Sequence, residues 1–285
     1  WGPVQVRRNE GGKLVGWDVP LHWPGPAETG QTSTLSGLNG WWTGVAAGDF
    51  DSDGRMDLVA GNWGTNDRHR RDLGFEQPRR LLHGDLDESG SVDLVEAYFH
   101  PELGKLVPER GFMAVLAAMP FVQENVQTFE QYGTSGIDRI YGDRLAGAET
   151  VEVNWLATTL LLNRGDRFEV RPLPMEAQLS PVFGISVADF DGDAAEDVFL
   201  AQNFFATAPE NTRHDAGRGL LLKGDGQGGF APVPGQVSGL KVYGEQRGSA
   251  VADFDQDGRT DLAVTQNGTS TRLFRNLGAR PGLRK

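Results

Sequence analysis

Four short segments concentrate acidic residues at one fixed spacing. They span residues 49–57, 85–93, 189–197 and 253–261, and each follows the pattern D-x-D-x-[DS]-x-x-x-D. Two like charges held about 4 Å apart repel by roughly 1 kcal/mol even in water, so a tight turn of carboxylates is costly. A hard divalent cation removes this repulsion, and Ca²⁺ takes roughly six to eight oxygen ligands. The spacing therefore predicts calcium binding.

One structural calcium site is expected in each segment, up to four in total. Side chains at positions 1, 3, 5 and 9 supply oxygen ligands, and the carbonyl at position 7 adds another where the loop matches the pattern best. The predicted ligands are Asp49, Asp51, Asp53, the Arg55 carbonyl and Asp57; Asp85, Asp87, Ser89 and Asp93; Asp189, Asp191, Asp193 and Asp197; and Asp253, Asp255, Asp257, the Arg259 carbonyl and Asp261. Position 6 is Gly in the first, second and fourth loops. The third has Ala194 there, so we expect a strained turn.

These segments are open to two other interpretations. An EF-hand shares the first positions but needs a bidentate Glu at position 12 and helical flanks. Position 12 is Ala60, Leu200 or Val264 in three loops, and only the second has an acid, Glu96. The flanks of all four are apolar and strand-like. The second alternative is that Asp-rich turns only close hairpins, since Asp favours turns. Four copies in register favour metal binding.

The strand-like flanks and the repeats indicate the fold class. Hairpin patterns recur at 159–174 and 219–234, and another opens the chain at 4–20. A unit of roughly 60 residues with four short strands leaves room for about five units, which is typical of a β-propeller. Repeated sandwiches would need about 100 residues per unit. We therefore predict an all-β fold, a single β-propeller domain over residues 1–285 with four-stranded blades.

A helical insertion is expected within this domain at about 108–145. The segment is rich in Ala, Leu, Met, Gln and Glu, is broken at Pro120, and carries apolar residues such as Met113 and Leu116 at helical spacing. Two or three short helices are predicted there.

Composition excludes several classes of function. The net charge of −12 and the pI near 4.9 argue against a nucleic-acid partner. The absence of Cys excludes thiolate catalysis, Cys-ligated zinc and disulfides. The longest apolar run, 113–122, is too short to span a bilayer, so no membrane insertion is expected. The chain begins Trp-Gly-Pro without a secretory signal, and we expect it to be a processed piece whose signal peptide is not included.

The acidic loops resemble those of the FG-GAP/VCBS repeat family, whose calcium-loop propeller repeats also occur in integrin α-subunits. Phe183-Gly184 before the third loop matches the FG of that family, and the hairpins at 159–174 and 219–234 look like its outer hairpin. The tail 275–285 is similar to the sequence leading into an ASPIC/UnbV module. This resemblance implies a propeller, calcium in the loops, an extracytoplasmic location (secreted, periplasmic or cell surface), and a role in binding, adhesion or scaffolding.

The ligand and the catalytic residues, if any, stay open at this point. Some relatives are polysaccharide lyases or dehydratases, so a carbohydrate-active enzyme using one propeller face is the alternative function. No recognised catalytic motif is present, and the five His are scattered. Amides follow three loop strands at matching register, at 62, 202–203 and 266–267, near Trp41, Trp42, Trp63 and Phe204. These predict a glycan-binding face, unless the amides only satisfy backbone groups; a protein ligand is equally open. Glu245 and Arg247 offer an acid and a base, or an ordinary ion pair.

Overall fold

The computed structural model describes residues 1–24, 31–68, 73–208 and 211–278, and these form mostly β-strands. The predicted all-β class is confirmed. In chain order the strands are Gly2–Pro3 (β1), Val6–Glu10 (β2), Lys13–Trp17 (β3), Leu21–His22 (β4), Asn39–Gly40 (β5), Gly44–Gly48 (β6), Asp57–Gly61 (β7), Arg79–Gly84 (β8), Asp93–His100 (β9), Lys105–Pro108 (β10), Glu149–Val153 (β11), Thr159–Asn163 (β12), Phe168–Pro172 (β13), Val182–Ala188 (β14), Asp197–Gln202 (β15), Leu220–Gly224 (β16), Phe230–Val233 (β17), Glu245–Ala252 (β18), Asp261–Asn267 (β19) and Arg272–Phe274 (β20).

Four of the sheets each contain one acidic loop. We name them by strand order: sheet A is β4-β13-β12-β7-β6, sheet B is β10-β9-β8-β11, sheet C is β14-β15-β16-β17, and sheet D is β18-β19-β20. Two further two-stranded sheets, β1-β5 and β2-β3, come from the first 40 residues. All pairings are antiparallel except that of β13 with β4.

Sheets A, C and D pack side by side through their loop-bearing strands. β14 of sheet C lies between β6 of sheet A and β18 of sheet D. The Oγ atoms of Ser186 and Ser249 are 2.7 Å apart across the C–D contact. A Cβ added at Gly184 would lie 2.9 Å from Gly248 Cα, so only glycine allows this approach. The described residues do not form a closed ring of blades, and the propeller stays a prediction.

Sheet A incorporates the hairpin predicted at 159–174, whose strands are β12 and β13. β12 pairs with β7, with Leu160 opposite Val59, and both side chains are fully buried between sheets A and C. In the chain, sheet B and the helices are therefore inserted between β7 and β12, which are neighbouring strands of sheet A. The sequence pattern missed this connection because about 100 residues separate the paired strands, and periodicity carries no information on such pairings.

The helical insertion lies where the sequence predicts it. Three short α-helices, Phe112–Ala118 (α1), Phe129–Thr134 (α2) and Ile137–Tyr141 (α3), pack with two 3₁₀ turns on sheet B. Their buried residues, including Val115, Val122 and Ile140, join Val95 and Ala97 of β9 in one cluster. A fourth helix, Gly235–Ser238 (α4), follows β17. Within the described ranges, no helix combines the length and apolar character needed to cross a membrane.

Candidate metal loops and a cavity at the opposite strand ends

Each acidic loop connects two antiparallel strands of one sheet, as its strand-like flanks predict. Position 9 of every loop is the first residue of the second strand and pairs with the residue just before position 1. The four pairs are Gly48 with Asp57, Gly84 with Asp93, Ala188 with Asp197, and Ala252 with Asp261. The carboxylates at both ends of each loop are therefore held close together by the sheet.

Two hydrogen bonds recur in all four loops. The backbone N–H at position 6 donates to Oδ2 of the Asp at position 1, at 2.9–3.0 Å. The N–H at position 2 donates to Oδ2 of the Asp at position 9, at 3.0 Å in every loop. The donors at position 6 are Gly54, Gly90, Ala194 and Gly258. These bonds orient the first and last carboxylates before any ion arrives.

The turn itself needs a left-handed backbone at positions 4 and 6. At position 6 the φ angles are 84°, 83°, 71° and 83° in the four loops. Three of these residues are glycines, which adopt such angles freely, but the third loop places Ala194 there. The expected strain at Ala194 is therefore present in the backbone.

Three carboxylates in every loop lie close enough to share one cation. Each group offers oxygens within 4.8 Å of one another: Asp49, Asp51 and Asp53; Asp85, Asp87 and Asp93; Asp189, Asp191 and Asp197; Asp253, Asp255 and Asp261. All of these were predicted from the spacing. Several Asp clusters can thus hold a metal ion.

One atom in the first loop lacks a partner. Asp51 has a side chain only 8% exposed, and its Oδ1 is buried with no hydrogen bond among the described residues. A buried carboxylate oxygen without a partner costs about 1–3 kcal/mol. A cation bound by Asp49, Asp51 and Asp53 would satisfy it, and an all-oxygen ligand set suits Ca²⁺.

In sheets A, C and D, the Asp at position 9 also accepts a hydrogen bond from a residue at or just after the end of a third strand, which is β12, β16 or β20. Oδ1 accepts a backbone N–H from Asn163 in sheet A, from Gly224 in sheet C and from Asn276 in sheet D, at 2.7–2.9 Å. The corresponding carboxyls, Asp57, Asp197 and Asp261, are all buried. Each has a second lone pair on each oxygen, so this structural role is compatible with binding an ion.

The pKa of this buried carboxyl differs among loops. Burial raises the pKa of Asp57 from 3.8 to about 6, against the lowering effect of the Asn163 and Phe50 N–H groups. Burial likewise raises the pKa of Asp197. In contrast, the Asn276 N–H holds the pKa of Asp261 below its ordinary value. A cation in the first loop would offset the desolvation that raises the pKa of Asp57.

Basic side chains next to the loops are a feature that the sequence analysis missed. Arg164, Lys223 and Arg275 stand at or just after the end of the third strand, and each pairs with the Asp at position 3 of its loop. Lys223 also reaches Asp193 Oδ2 at 2.6 Å. These cations relieve part of the repulsion that the charge argument assigned entirely to calcium. Lys223 and Arg275 each come directly before the residue whose N–H binds the Asp at position 9, whereas Arg164 directly follows that residue, so the sequence carried only a partial signal.

The second loop is the least similar of the four. Ser89, predicted as the ligand at position 5, has its Oγ 2.7 Å from Ser91 Oγ. Asp93 is only partly buried and accepts the Leu86 N–H alone in the described structure. Arg144 pairs with Glu88 at 3.2 Å, and Glu88 is not one of the predicted ligands.

The two predicted carbonyl ligands belong to arginines whose side chains bind elsewhere. Arg55 Nε donates to the Asn163 carbonyl and Arg259 Nε donates to the Asn276 carbonyl, both at 2.8 Å. Their guanidinium groups also pair with Asp53 and Asp257 at position 5. The coordinating role of the two backbone carbonyls stays a prediction.

The strand-end amides are already used by the fold. Asn62 Oδ1 accepts the N–H groups of Trp41 and Trp63, at 3.1 and 2.8 Å. Asn203 is fully buried, and its Nδ2 donates to the carbonyls of Gly217 and Gly244. Asn62 and Asn203 thus satisfy local groups, as the second interpretation of the amides held.

The aromatic residues near these amides pack together at the same end of the sheets. Trp63 lies 5.6 Å from Trp41 and 5.1 Å from Phe204, centroid to centroid. Arg247 stacks 3.9 Å from the ring of Phe183 and pairs with Glu245. Burial alone would raise the pKa of Glu245, but the Phe205 N–H, Asn267 and Arg247 hold it below its ordinary value. Glu245 and Arg247 thus form an ion pair, which argues against a catalytic acid at this position.

A cavity of about 550 Å³ opens beside this aromatic group. Its wall contains Trp63, Asp67, Phe204 and His214. Asp67 Oδ2 accepts the Trp63 Nε1–H at 2.9 Å and lies 3.3 Å from His214 Nε2, and the Asp67 side chain is 3% exposed. Sequence reasoning treated the histidines as scattered because this pair is 147 residues apart. His69 lies outside the described residues.

Comparison with protein-family models and with curated proteins finds no match for this chain.

Proposed function

We propose that this chain is a calcium-stabilised binding, adhesion or scaffolding module that works outside the cytoplasm. Calcium is structural in this proposal: it neutralises the loop carboxylates and fixes the turns between the strands. The single observation that carries the proposal is the buried Oδ1 of Asp51, which lacks a partner beside two further carboxylates.

The repetition of the loop supports the same conclusion. Four loops far apart in the chain share two hydrogen bonds, left-handed turns and a cluster of three carboxylates. The basic residues beside them pair with positions 3 and 5, but Asp49, Asp189 and Asp253 at position 1 make no ion pair among the described residues. Calcium would therefore add neutralisation that the protein's own cations do not supply.

The finer architecture is part of this proposal. Sheets A, C and D stand side by side on their loop-bearing strands, and sheets A and C each contain four neighbouring antiparallel strands in the spatial order expected of a blade. Together with the motifs at 183–184 and in the loops, this favours a β-propeller of the FG-GAP/VCBS type. The resemblance of the tail 275–285 to an ASPIC/UnbV lead-in concerns a segment whose residues 279–285 lie outside the described structure.

Thermal unfolding with and without calcium tests the proposal. Each site that binds only the folded state adds about 2.7 kcal/mol at a hundredfold excess of Ca²⁺ over Kd. We expect the Tm to fall in excess chelator and to recover with Ca²⁺. An equal concentration of Mg²⁺ should not restore it, because Mg²⁺ demands a smaller octahedral site. An identical melting curve in chelator would refute calcium binding.

A variant of the first loop and a control variant outside the loops test whether Ca²⁺ binds at the first loop. Asp51→Asn removes a charge from the proposed first site, and calorimetric titration should then count one Ca²⁺ fewer than in the unaltered chain. Asp166→Asn is the control, since Asp166 is 75% exposed and contacts Arg167 outside the loops. The Asp166 variant should keep the full stoichiometry. Equal stoichiometry in both variants would remove the first loop from the set of sites.

A carbohydrate-active enzyme is the second candidate function. The observation that favours it is the paired carboxylate and imidazole of Asp67 and His214 in a cavity, since an oriented His serves as an acid or base in many enzymes. Incubation with acidic and neutral polysaccharides, followed by detection of shortened or unsaturated products, distinguishes turnover from binding.

A further inference from the structure

We propose that the cavity beside Trp63 and Phe204 binds a neutral sugar unit. This inference rests on the binding role proposed above and names its ligand. A volume of about 550 Å³ falls in the usual range for small-molecule sites and suits one or two sugar rings. The cavity lies at the strand ends opposite to the acidic loops, because Trp63 and Phe204 follow the ends of β7 and β15.

The cavity wall is held in place by backbone and side-chain bonds. Phe204 and His214 exchange two backbone hydrogen bonds of 2.9 Å, so His214 is fixed beside the aromatic wall. Its ring lies 5.2 Å from the ring of Trp63. Fixed aromatic and polar groups lose little entropy on binding, which is the advantage of a preformed site.

The pair formed by Asp67 and His214 sets the hydrogen-bonding character of the wall. His214 Nε2 lies 3.3 Å from the Asp67 carboxylate, so the Nε2 edge of the imidazole faces the cavity wall. His214 Nδ1 makes no hydrogen bond in the described parts of the chain, and the side chain is 19% exposed. An imidazole oriented in this way can exchange a hydrogen bond with a sugar hydroxyl.

The charges around the cavity favour a neutral ligand. Among the lining residues that the structure describes, the arginines Arg68 and Arg213 are matched in number by the aspartates Asp67 and Asp215. Charged and amide side chains that bond hydroxyls, next to Trp and Phe rings that stack on C–H faces, form the chemistry expected of a site for an uncharged sugar.

Arg213 provides a test with a matched control. It lines the cavity and lies 5.4 Å from the ring of Phe205. Arg218 lies at the same distance, 5.4 Å, from the ring of Tyr243 but does not line the cavity. Both arginines are exposed, so each Ala variant loses one surface cation and one contact with an aromatic ring.

Calorimetric titration of the calcium-loaded chain with glucose, galactose, mannose and cellobiose tests the inference, with glucuronate as the acidic comparison. We expect at least one neutral sugar to bind with a Kd on the order of 1 mM. Arg213→Ala and His214→Gln should weaken that binding about tenfold, the effect of losing one hydrogen bond to a charged or polar group. Arg218→Ala should leave it unchanged, and melting curves confirm that each variant folds.

Three results would overturn the inference: no binding of any neutral sugar, binding of glucuronate alone, or equal weakening by Arg213→Ala and Arg218→Ala. Failure of the calcium proposal gives a different pattern, because the Tm would then ignore chelator whether or not a sugar binds. A chain that calcium stabilises but that binds none of the four sugars contradicts the sugar site alone.

Discussion

The first acidic loop is covered by a neighbouring sheet, whereas the fourth lies on a face that none of the described residues covers. Phe50, at position 2 of the first loop, is 1% exposed and packs 5.4 Å from Phe230 of sheet C. Its carbonyl accepts the Gly228 N–H at 2.9 Å. Phe254 occupies the same position in the fourth loop and is 69% exposed. The two loops share one sequence pattern, so the neighbouring sheet makes the difference.

This difference in packing also changes the pKa of the buried carboxyl at position 9 of the loop. Asp57 and Asp261 both close their loops and make equivalent backbone hydrogen bonds. Yet burial raises the pKa of Asp57 to about 6, while hydrogen bonding holds that of Asp261 below its ordinary value. A sequence motif therefore fixes local geometry, but packing against the next sheet determines how costly the negative charge is.

The largest expected effect comes from removing the two aromatic rings. Phe50→Ala should lower the free energy of unfolding by about 3–5 kcal/mol, because it empties a fully buried site between two sheets. Phe254→Ala should change it by less than about 0.5 kcal/mol, since the ring is largely in solvent. Urea denaturation in the presence of calcium measures both.

The two Phe variants serve as each other's control, because the residue type and the position in the motif are identical. Comparable destabilisation by both would show that the face of sheet D is covered in solution. That outcome would break the distinction between a covered and an uncovered loop.

Much of the fold follows from local sequence. The acidic loops, their flanking strands and the hairpins at 159–174 and 219–234 were predicted because turn residues and apolar runs act over a few residues. The pairing of β12 with β7 was not, since it joins segments on either side of an inserted sheet. The sequence also does not indicate that Phe254 is exposed, because its sequence context matches that of the buried Phe50.

A second, smaller effect is expected in the pH dependence of the calcium-free chain. The pKa of Asp57 is raised when folded, so protonation favours the folded state. The contribution of Asp57 to the free energy of unfolding is greatest below the ordinary pKa of 3.8, and it is lost as the pH rises through about 6. Lowering the pH from 7 to 4 should therefore recover on the order of 2–3 kcal/mol from this group.

Asp261 acts with the opposite sign in a separate window. Its pKa is lowered when folded, so its contribution is present above 3.8 and is lost only as the pH falls further. Asp57→Asn, which cannot titrate, should remove most of the gain between pH 7 and 4 in urea denaturation without calcium. Asp261→Asn should retain that gain. A gain that survives in the Asp57 variant would assign it to other carboxyls.

The candidate sites also differ in whether residues close in the chain or residues far apart in the chain form them. The clusters of loop carboxylates were predictable because the members of each cluster lie within nine residues of the chain. The cations Arg164 and Arg275 were missed because they reach the loops from the third strand of the sheet, in sheet A across the whole insertion. The pairing of Asp67 with His214 arises only when the ends of β7 and β15 meet, which no spacing in the sequence indicates.

The smallest expected effect compares the turns of the first and third loops. Ala194 adopts a φ of 71° where Gly54 has 84°, and a left-handed Ala costs about 1–2 kcal/mol. Glycine loses more chain entropy on folding, by roughly 0.5–1 kcal/mol, so Ala194→Gly should stabilise the chain by about 0.5–1 kcal/mol. Gly54→Ala should destabilise it by about 0.5–1 kcal/mol on the same balance of backbone strain and chain entropy, because a Cβ there meets no atom within 4 Å and adds no contact. Urea denaturation of the calcium-loaded protein measures both signs. If neither variant differs from the unaltered chain, the turns tolerate any residue at position 6, and packing is the only thing that distinguishes one loop from another.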